Sequence, residues 1–452
     1  MMRIVLIAFG SRGDVQPHLA LGAGLRRAGH NVRVITHSLF EPLARQLGLD
    51  FAPVSIDPRG IVEGEQGQDW LGSGTNAVQF LHRFTRIAGP LIARTMRECW
   101  QASQDADLLI FSPLGIGTVS SIAEKLSIPY WIGAGQPLTP TRAFAIPFFP
   151  PAPGWLPFSR ALYHRATYLL SGRLFWQLLH TPINHARREV LNLPPLLANW
   201  LTAQMRQQLL PILYYYSPSV LPAPPDWNER SHVTGYWHLD ESFDGWQPPT
   251  DLLDFLASGP PPLYIGFGSM RPRDPARLTS LLLQALERTG QRAVLATGWG
   301  GIQGIQAVNP SQGLSNSPDS PGLPQLSSSI YTLDYVPHDW LFPRLSAVVH
   351  HGGAGTTAAT IRHGTPAVML PFFGDQPFWS RRYASLAVIP PPIPIKHLTA
   401  DNLARAIAQA TDDTAMRERM QALSKKVREE DGVKRAVEII TNTGRPIFSN
   451  EL

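Results

Sequence analysis

Short apolar runs alternate with amphipathic stretches along this chain of 452 residues. The runs Arg3–Phe9 and Asn31–Thr36 predict buried strands, and Gln16–Ala28 and Phe40–Leu47 predict the helices that follow them. Three further buried strands are predicted at Asp107–Phe111, Tyr130–Gly133 and Pro262–Phe267. Strands that alternate with helices form parallel sheets with helices on both faces. The pattern therefore predicts an α/β protein built from doubly wound sheets.

A proline-rich stretch with little periodicity, Pro222–Pro249, interrupts this rhythm. The length of the chain suggests about three average domains, but doubly wound units are large, so we predict two. We place an N-terminal domain at residues 1–240, a C-terminal domain at 241–425, and a helix with a tail at 426–452.

The cysteine content and the lengths of the apolar stretches indicate the cellular compartment of the protein. A single cysteine, Cys99, excludes an internal disulfide and fits a reducing compartment. The apolar run that follows Met1 is short and lacks a cleavage site, and no apolar stretch reaches the ~18 residues of a membrane-spanning helix. We therefore expect a cytoplasmic protein that is soluble or peripherally bound to a membrane, without a nucleic-acid partner.

The segment His350–Gln376 has the composition of a site for a sugar nucleotide. A buried strand, Ala347–Val349, leads into HHGGAG, and a helix is predicted at Thr356–Arg362. Open parallel sheets place their ligands at the carboxyl ends of strands. Glycines there allow close backbone approach, and the free N–H groups of a helix start favour a diphosphate. The adjacent Asp375 and Gln376 suit the hydroxyls of a sugar.

The motifs HHGGAGTTAA and PFFGDQPFW carry a specific resemblance, which continues in FGSRGDVQPHLALGAGL, IGFGSM and YVPHDWLF. They resemble the donor-site signature of the inverting, UDP-sugar-dependent glycosyltransferases, in the branch that includes sterol 3-β-glucosyltransferases. The resemblance spans nearly the whole chain and is weakest between about residues 140 and 230. It implies a GT-B fold, in which two Rossmann-like doubly wound domains face a central cleft, and it implies that the last helix returns to the N-terminal domain.

By this resemblance, the residues that bind UDP-glucose or another UDP-hexose form one set. Its members are Ser269, Tyr335, Val336, His338, His351, Gly353, Ala354, Gly355, Thr356, Asp375 and Gln376. Successive strand residues point in opposite directions, so His350 and His351 cannot both face the phosphates. The match to the family motif implies that His351 faces them and that His350 lies behind it. Tyr335 and Ala359 depart from the family pattern, since plant relatives carry a tryptophan and a glutamate there.

Transfer of a sugar with inversion needs a base for the acceptor hydroxyl. We predict that Asp14 is this base, because the loop after the first strand lies at the carboxyl edge of the sheet. Plant relatives use a histidine supported by an aspartate, whereas no carboxylate lies between Leu108 and Ala123 here. Two alternatives remain: Asp14 caps the following helix, or His18 is the base or a partner of Asp14.

We expect no metal and no cofactor besides the UDP-sugar, because no DxD pair lies in a loop near these motifs. Hydrogen-bond donors and the helix dipole would neutralise the diphosphate. A nicotinamide dehydrogenase is excluded by the absence of GxGxxG after the first strand. An epimerase of the same architecture has little need for the aromatic-rich region described next.

No carboxylate lies between Glu124 and Glu189, although the interval is rich in arginine and aromatic residues. We predict that its aromatic side chains bind the acceptor, namely Phe144, Phe148, Phe149 and Trp155. The region is either a lid with a basic outer face or a lid that also contacts an anionic membrane. A helix at Ser159–His180 would have a polar face with His164 and Thr167 and an apolar stripe with Leu162 and Leu170.

Taken together, these features predict an inverting enzyme that moves a hexose, glucose by preference, from a UDP-sugar to the hydroxyl of a hydrophobic acceptor. A sterol or related lipid is favoured as the acceptor. The alternative acceptors are polyketides, flavonoids and other lipophilic natural products. The alternative of a different class is a non-catalytic lipid-binding protein with the same fold.

Overall fold

The computed structural model describes residues 1–55, 91–154, 159–239, 246–268, 270, 272, 274–296, 329–334 and 336–442. Contacts within the chain divide it into two compact units. Unit 1 comprises Met1–Leu239 and Glu430–Leu452, and unit 2 comprises Asp240–Glu429.

Unit 1 contains a parallel sheet of seven strands in the order β3-β2-β1-β4-β5-β6-β7. The strands are β1 (Arg3–Ile7), β2 (Asn31–His37), β3 (Asp50–Val54), β4 (Leu108–Phe111), β5 (Tyr130–Ala134), β6 (Ile212–Tyr214) and β7 (Ser231–Val233). The strands β1 and β4 are buried along almost their whole length, as the apolar runs predict. The reversal of strand order between β1 and β4 marks the edge at which open α/β sheets bind ligands.

The helices of unit 1 before the chain crosses to unit 2 include six α-helices and two short 3₁₀ turns among the described residues. They are α1 (Arg12–Arg27), a turn at Ser38–Phe40, α2 (Glu41–Gln46), α3 (residues 91–102), a turn at Pro113–Gly115, α4 (Val119–Leu126), α5 (Arg160–Leu191) and α6 (Trp200–Arg206).

Unit 2 contains a second parallel sheet, with five strands in the order β10-β9-β8-β11-β12. Its strands are β8 (Leu263–Gly266), β9 (Ala293–Ala296), β10 (Ile330–Leu333), β11 (Ala347–His350) and β12 (Ala367–Met369). Its helices are α7 (Thr250–Ala257), α8 (Pro275–Thr289), α9 (His338–Leu341), a 3₁₀ turn at Phe342–Arg344, α10 (Ala354–His363), α11 (Gln376–Ser385), a 3₁₀ turn at Ile395–His397, α12 (Ala400–Asp412) and α13 (Thr414–Glu429). Two apolar clusters pack on this sheet.

The last helix, α14 (Gly432–Asn442), belongs to the core of unit 1. Its buried side chains Val433, Ala436 and Ile440 share one apolar cluster with α1 and the sheet. The prediction of two Rossmann-like α/β domains is confirmed by the two parallel sheets and their strand orders.

The first helix begins at Arg12, four residues earlier than the apolar periodicity predicts. Ser11 occupies the N-cap position, and the carboxylate of Asp14 accepts hydrogen bonds from Ser11, so polar residues start the helix before its apolar face begins. Asp14 therefore lies in the first turn of α1 and not in the preceding loop.

The helix α5 is longer than predicted, and the prediction of its apolar face was wrong. Its buried face carries Thr167, Tyr168 and Trp176, whereas Leu162 and Leu170 of the predicted apolar stripe are exposed. Large side chains recur along the buried face at Tyr168, Trp176 and Ile183, and the Thr167 hydroxyl beside them accepts from the backbone N–H of Ile146 at 3.0 Å. Among the described residues, no helix is both long and apolar enough to cross a membrane.

Candidate active site

Each sheet reverses its strand order once, and in each sheet a predicted functional loop follows one of the two strands at that reversal. In unit 1 the reversal lies between β1 and β4, and Asp14 comes soon after β1. In unit 2 it lies between β8 and β11, and the glycine loop, which we define as residues 351–356, comes directly after β11. Each loop thus occupies the ligand-binding edge of its own parallel sheet.

The carboxylate of Asp14 is held by the residue that caps its helix. Its Oδ2 accepts from the backbone N–H of Ser11 at 2.9 Å and from the Ser11 hydroxyl at 3.0 Å. Burial raises the pKa of Asp14 above its usual value, and the two hydrogen bonds from Ser11 oppose that rise. The group is therefore a stronger base than a solvated aspartate, while it also forms half of a capping box.

The backbone around Asp14 is fixed by contacts from two neighbouring strands. Gly10 has φ +123°, and a Cβ at this position would collide with the Asp14 carboxylate. The N–H of Phe9 donates to the hydroxyl of Ser112 at 3.1 Å, and the N–H of Gly10 donates to Nε2 of His37 at 3.4 Å. Ser112 lies in the segment where the resemblance led us to look for a supporting aspartate. Its hydroxyl binds the backbone of the loop at Phe9.

The surroundings of His18 do not favour this residue as the base. Its side chain is fully buried, and its Nδ1 lies 2.8 Å from the backbone carbonyl of Asp14 and not from the carboxylate. The ring packs edge-on against Tyr215 and Trp237, and burial lowers the pKa of His18 to about 4. This enclosure favours a packing role for His18, and its assignment as the base stays an untested alternative.

The glycine loop ends in a helix start that is open to an anion. The helix α10 begins at Ala354, with Gly353 as its N-cap, so it starts two residues before the predicted position. Its first turn contains no acidic residue, and Gly355 is exposed. The N–H groups of Ala354, Gly355 and Thr356 belong to the first turn, where a helix provides no carbonyl partner. This arrangement favours a bound phosphate.

His351 lies beside this helix start, as the resemblance predicts. Its side chain is 9% exposed, and no described residue forms a hydrogen bond with its Nδ1. Burial lowers the pKa of His351 to about 4, so the ring is neutral at pH 7 and acts as a hydrogen-bond donor without charge. A Cβ at position 353 would collide with Nε2 of His351, so the ring requires glycine there.

His350 packs behind this loop, as the alternation of strand residues predicts. The side chain is fully buried, and its Nδ1 accepts from the N–H of Gly352 at 3.1 Å. Gly352 has φ +87°, so this hydrogen bond fixes the loop at the residue that turns it towards α10. The imidazoles of His350 and His351 therefore have separate roles, one towards the loop and one towards its open side.

Gln376 has a structural role that its sequence position does not reveal. Its Oε1 accepts from the N–H of Phe372 at 2.8 Å, and its Nε2 lies 3.3 Å from the sulfur of Met270. The amide thus fixes the turn that leads to Asp375, which is the N-cap of α11 and is partly buried. The roles of Asp375 and Gln376 as ligands of the sugar stay predictions.

Four donor-binding predictions remain, together with Ala359, the position that departs from the family pattern. Val336 is buried, and His338 begins α9 with its ring stacked on Phe342 at 4.4 Å between centroids. Ala359 is buried in an apolar cluster of unit 2, so a residue at this position of α10 faces the core. Ser269 and Tyr335 lie outside the described residues.

The acceptor predictions fall on the chain that leaves the carboxyl end of β5. Phe144 and Phe149 are half-buried, and Phe148 is 52% exposed. Trp155 lies outside the described residues. Over the described ranges, no three His, Cys, Asp or Glu side chains are grouped as ligands of a metal ion.

Comparison with known proteins places these motifs in a family. Residues 4–145 match the glycosyltransferase family 28 N-terminal domain, and residues 315–439 match the erythromycin biosynthesis protein CIII-like C-terminal domain. A sterol 3-beta-glucosyltransferase of Cryptococcus neoformans is 36% identical over 448 residues, and one of Aspergillus fumigatus is 36% identical over 443. The alignments cover 97% of this chain. The chain belongs to the GT-B glycosyltransferases.

This glycosyltransferase spans 27% of the length of the Cryptococcus relative and 30% of that from Aspergillus. Solved structures establish the fold independently. The kitacinnamycin glycosyltransferase has a TM-score of 0.69 at 16% identity and covers 98% of both chains. VinC in complex with DTDP has a TM-score of 0.62 at 17% identity, with 98% of this chain and 99% of that chain covered.

Proposed function

We propose that this glycosyltransferase transfers glucose from UDP-glucose to the hydroxyl of a sterol or related polycyclic lipid, with inversion at the anomeric carbon. The observation that carries the proposal is the alignment of 97% of this chain with sterol 3-beta-glucosyltransferases at 36% identity. The glycine loop with its buried neutral His351, and the capped Asp14, supply chemistry that such a reaction needs.

In the proposed reaction, the acceptor oxygen forms a bond with the anomeric carbon as the bond from that carbon to the diphosphate oxygen breaks. Asp14 takes the proton of the acceptor hydroxyl, and UDP leaves with the electron pair of the broken bond. Proton transfer is late, because an alcohol is far less acidic than a carboxylic acid. The raised pKa of Asp14 favours this transfer.

The leaving diphosphate is stabilised by fixed hydrogen-bond donors. We assign this role to the N–H groups of Gly353, Gly355 and Thr356 at the start of α10, and to His351. Donors already directed at the developing charge need no reorganisation during the reaction. The proposal requires neither a metal nor a cofactor besides the donor substrate.

The sugar and the nucleobase are assigned to the flanking turns. Asp375 accepts hydrogen bonds from the sugar hydroxyls, and Gln376 holds the turn that carries it and offers its amide nitrogen. Val336 and the start of α9 at His338 bind the base through the backbone. Ala359 provides no group for the ribose, so its hydroxyls are held by other residues.

A lipophilic natural product is the second candidate acceptor. Similar folds include the calicheamicin glycosyltransferase CalG4, with a TM-score of 0.59 at 17% identity, and two transferases of spinosyn. The C-terminal domain match is also to an erythromycin biosynthesis protein. A sterol is favoured because the relatives that match in sequence along the whole chain act on sterols by name.

The test is the release of UDP from UDP-glucose together with the mass of the product. Sterols, hopanoid alcohols, diacylglycerol, flavonoids and macrolides are offered in parallel, with the donor alone as the control. We expect one class of sterol-like alcohol to be preferred and the product to be a β-glucoside by NMR. A preference for macrolides would support the second candidate. Tight UDP binding with no release for any acceptor would support a lipid-binding protein.

A further inference from the structure

The outward face of α5 carries an apolar row that no contact within the described residues covers. The row consists of Leu162, Ala166 and Leu170, which follow one another at four-residue spacing on the first three turns. Leu162 is 72% exposed and Leu170 is 49% exposed. Spacing of this kind aligns side chains along one side of a helix. The row is therefore a continuous apolar strip on the surface of unit 1.

A turn beside this helix adds a further apolar side chain, Phe148, which is 52% exposed. The segment around Phe148 is tied to the inner side of α5. The hydroxyl of Tyr163 donates to the carbonyl of Pro150 at 3.0 Å, and Nδ1 of His164 lies 2.8 Å from the carbonyl of Arg142. The helix and the turn thus form one structured piece with apolar residues pointing outwards.

Basic residues accompany the row, and the stretch of chain that contains it has no carboxylate. Arg160 and Arg173 are exposed on α5, and Arg142 is exposed on the adjoining segment. The chain has no carboxylate from residue 125 to residue 188. Asp226 approaches this region, but its carboxylate accepts from the hydroxyl of Thr141 at 2.6 Å and from the N–H of Arg142 at 2.9 Å.

One arginine of this carboxylate-free stretch does not belong to the basic surface. Arg187 is buried and pairs with Glu124 at 2.9 Å, so its charge is neutralised inside unit 1. Three exposed cations, Arg142, Arg160 and Arg173, lie on the first half of α5 and on the turn beside it, whereas Lys125 and Arg188 are exposed elsewhere. The apolar and basic features thus coincide on one surface.

We propose that the outward face of α5, with Leu162 and Leu170 at its centre, Arg173 on the same face, Arg160 at its N-terminal end and Phe148 on the adjoining turn, docks on an anionic membrane surface. Exposed apolar side chains enter the interface between headgroups and acyl chains, while arginines pair with anionic headgroups. A second protein is less suited to a short strip flanked by charges of one sign. The proposal rests on the proposed function, because docking would present the segment after β5 to a lipid acceptor dissolved in the bilayer.

The experiment is co-sedimentation of the protein with vesicles of phosphatidylcholine containing about 30 mol% phosphatidylserine, at low and high salt. We expect binding at low salt, weaker binding at high salt, and little binding to phosphatidylcholine alone. The variant Leu162→Glu/Leu170→Glu should lose binding. The matched control Leu39→Glu/Leu253→Glu introduces the same charges at exposed leucines elsewhere and should bind like the native protein.

The contribution of charge is tested separately with Arg160→Gln/Arg173→Gln. Loss of two surface cations should weaken binding to the anionic vesicles by roughly 25-fold. The control Arg27→Gln/Arg405→Gln removes two exposed cations from other helices and should have a much smaller effect. Equal binding of all these variants, or no binding of the native protein at low salt, would overturn the proposal.

Two further measurements separate this proposal from its alternatives. If native protein were a dimer by light scattering and Leu162→Glu/Leu170→Glu were a monomer, a second copy would cover this face and the membrane proposal would be wrong. Turnover with an acceptor dispersed in detergent should be the same for native protein and for this variant. Vesicle binding without any transferase activity would leave the docking surface standing and would reject the proposed function instead.

Discussion

Two strand-to-helix turns have the same place in their sheets but different helix starts. The turn after β1 leads to α1, whose first turn contains Asp14 bonded to the N-cap residue Ser11. The turn after β11 leads to α10, whose first turn has no acidic residue and whose N-cap is Gly353. Both turns lie beside the reversal of strand order in a parallel sheet. They differ in what satisfies the positive end of the helix.

This difference between the two helix starts suits them to different chemical roles. A helix start attracts negative charge, and in α1 the carboxylate of Asp14 already provides it. In α10 no residue of the first turn provides it, so this helix start remains open to an anionic ligand. The first turn is therefore suited to hold a base, and the second is suited to hold a diphosphate. Changes that exchange or remove these properties test the assignment.

The largest effect is expected for Asp14→Asn. The amide can still accept from Ser11, so the helix cap is kept while the base is lost. We expect kcat to fall by about 10²–10⁴-fold, with the Kd for UDP unchanged. Steady-state kinetics and calorimetric titration with UDP measure the two quantities. Near-normal turnover would show that Asp14 is a cap and not the base.

Thermal unfolding supplies a control for this variant. The pKa of Asp14 is raised on folding, so the native state binds the proton more tightly and stability falls as pH rises through the interval between the two pKa values. The ionised carboxylate is therefore unfavourable for folding at pH 7. Asp14→Asn should unfold at the same temperature as native protein or at a higher one. A large fall in Tm would attribute any lost activity to folding.

The second effect is expected for Gly353→Ala in the turn after β11. The backbone angles at this position are acceptable for alanine, but the added Cβ would collide with Nε2 of His351. Displacement of the imidazole removes a hydrogen bond to a charged group, worth about 1.5–3 kcal/mol, so we expect roughly a 10- to 150-fold rise in the Kd for UDP-glucose. Gly154→Ala is the matched control, because a Cβ there has no neighbour within 4 Å.

A double variant shows whether the collision is the cause. If Gly353→Ala acts by displacing the imidazole, then it should add little to the loss caused by His351→Ala. Additive losses in the combined variant would mean that Gly353 contributes to nucleotide binding independently of His351. In that case the comparison between the two helix starts would still hold, but the role of His351 would need revision.

A smaller effect is expected for Ser11→Ala, which sharpens the description of the turn after β1. The hydroxyl of Ser11 stabilises the charged form of Asp14, so its loss raises the pKa of that carboxyl further. The acid limb of kcat/KM should move to higher pH, with less than about a five-fold loss at the plateau. If the acid limb of kcat/KM does not move, the carboxyl group whose ionisation produces that limb is not Asp14.

Sequence patterns predict the sheets well but misplace the starts of both functional helices. The apolar face of α1 begins after its polar first turn, so periodicity alone starts the helix too late. The pattern Ser-x-x-Asp at Ser11 and Asp14 is a capping-box signal, and it contains the information that periodicity lacks. The resemblance identifies Asp14, while the structure adds that Ser11 holds it.

Contacts between distant parts of the chain are what the sequence does not reveal. The Thr167 hydroxyl is buried and accepts from the backbone N–H of Ile146, 21 residues away, whereas the apolar row of α5 is exposed. Similarly, Gln376 uses its carbonyl oxygen to fix the backbone of Phe372. In both cases a polar side chain is buried to satisfy a backbone group, and hydrophobic periodicity does not register such pairs.

The smallest expected effect is a pH independence that characterises the turn after β11. Because burial lowers the pKa of His351 to about 4, the ring stays neutral above about pH 5.5. The diphosphate of UDP-glucose carries no proton that titrates in this range, so its Kd should be constant from about pH 5.5 to 8. His351→Gln, which keeps a neutral N–H donor, should retain more affinity than His351→Ala. If His351 were cationic, the affinity for UDP-glucose would rise as pH falls, and His351→Gln would bind as weakly as His351→Ala. That result would show that the diphosphate is held by the charge of the imidazolium and not by the N–H groups of the open helix start.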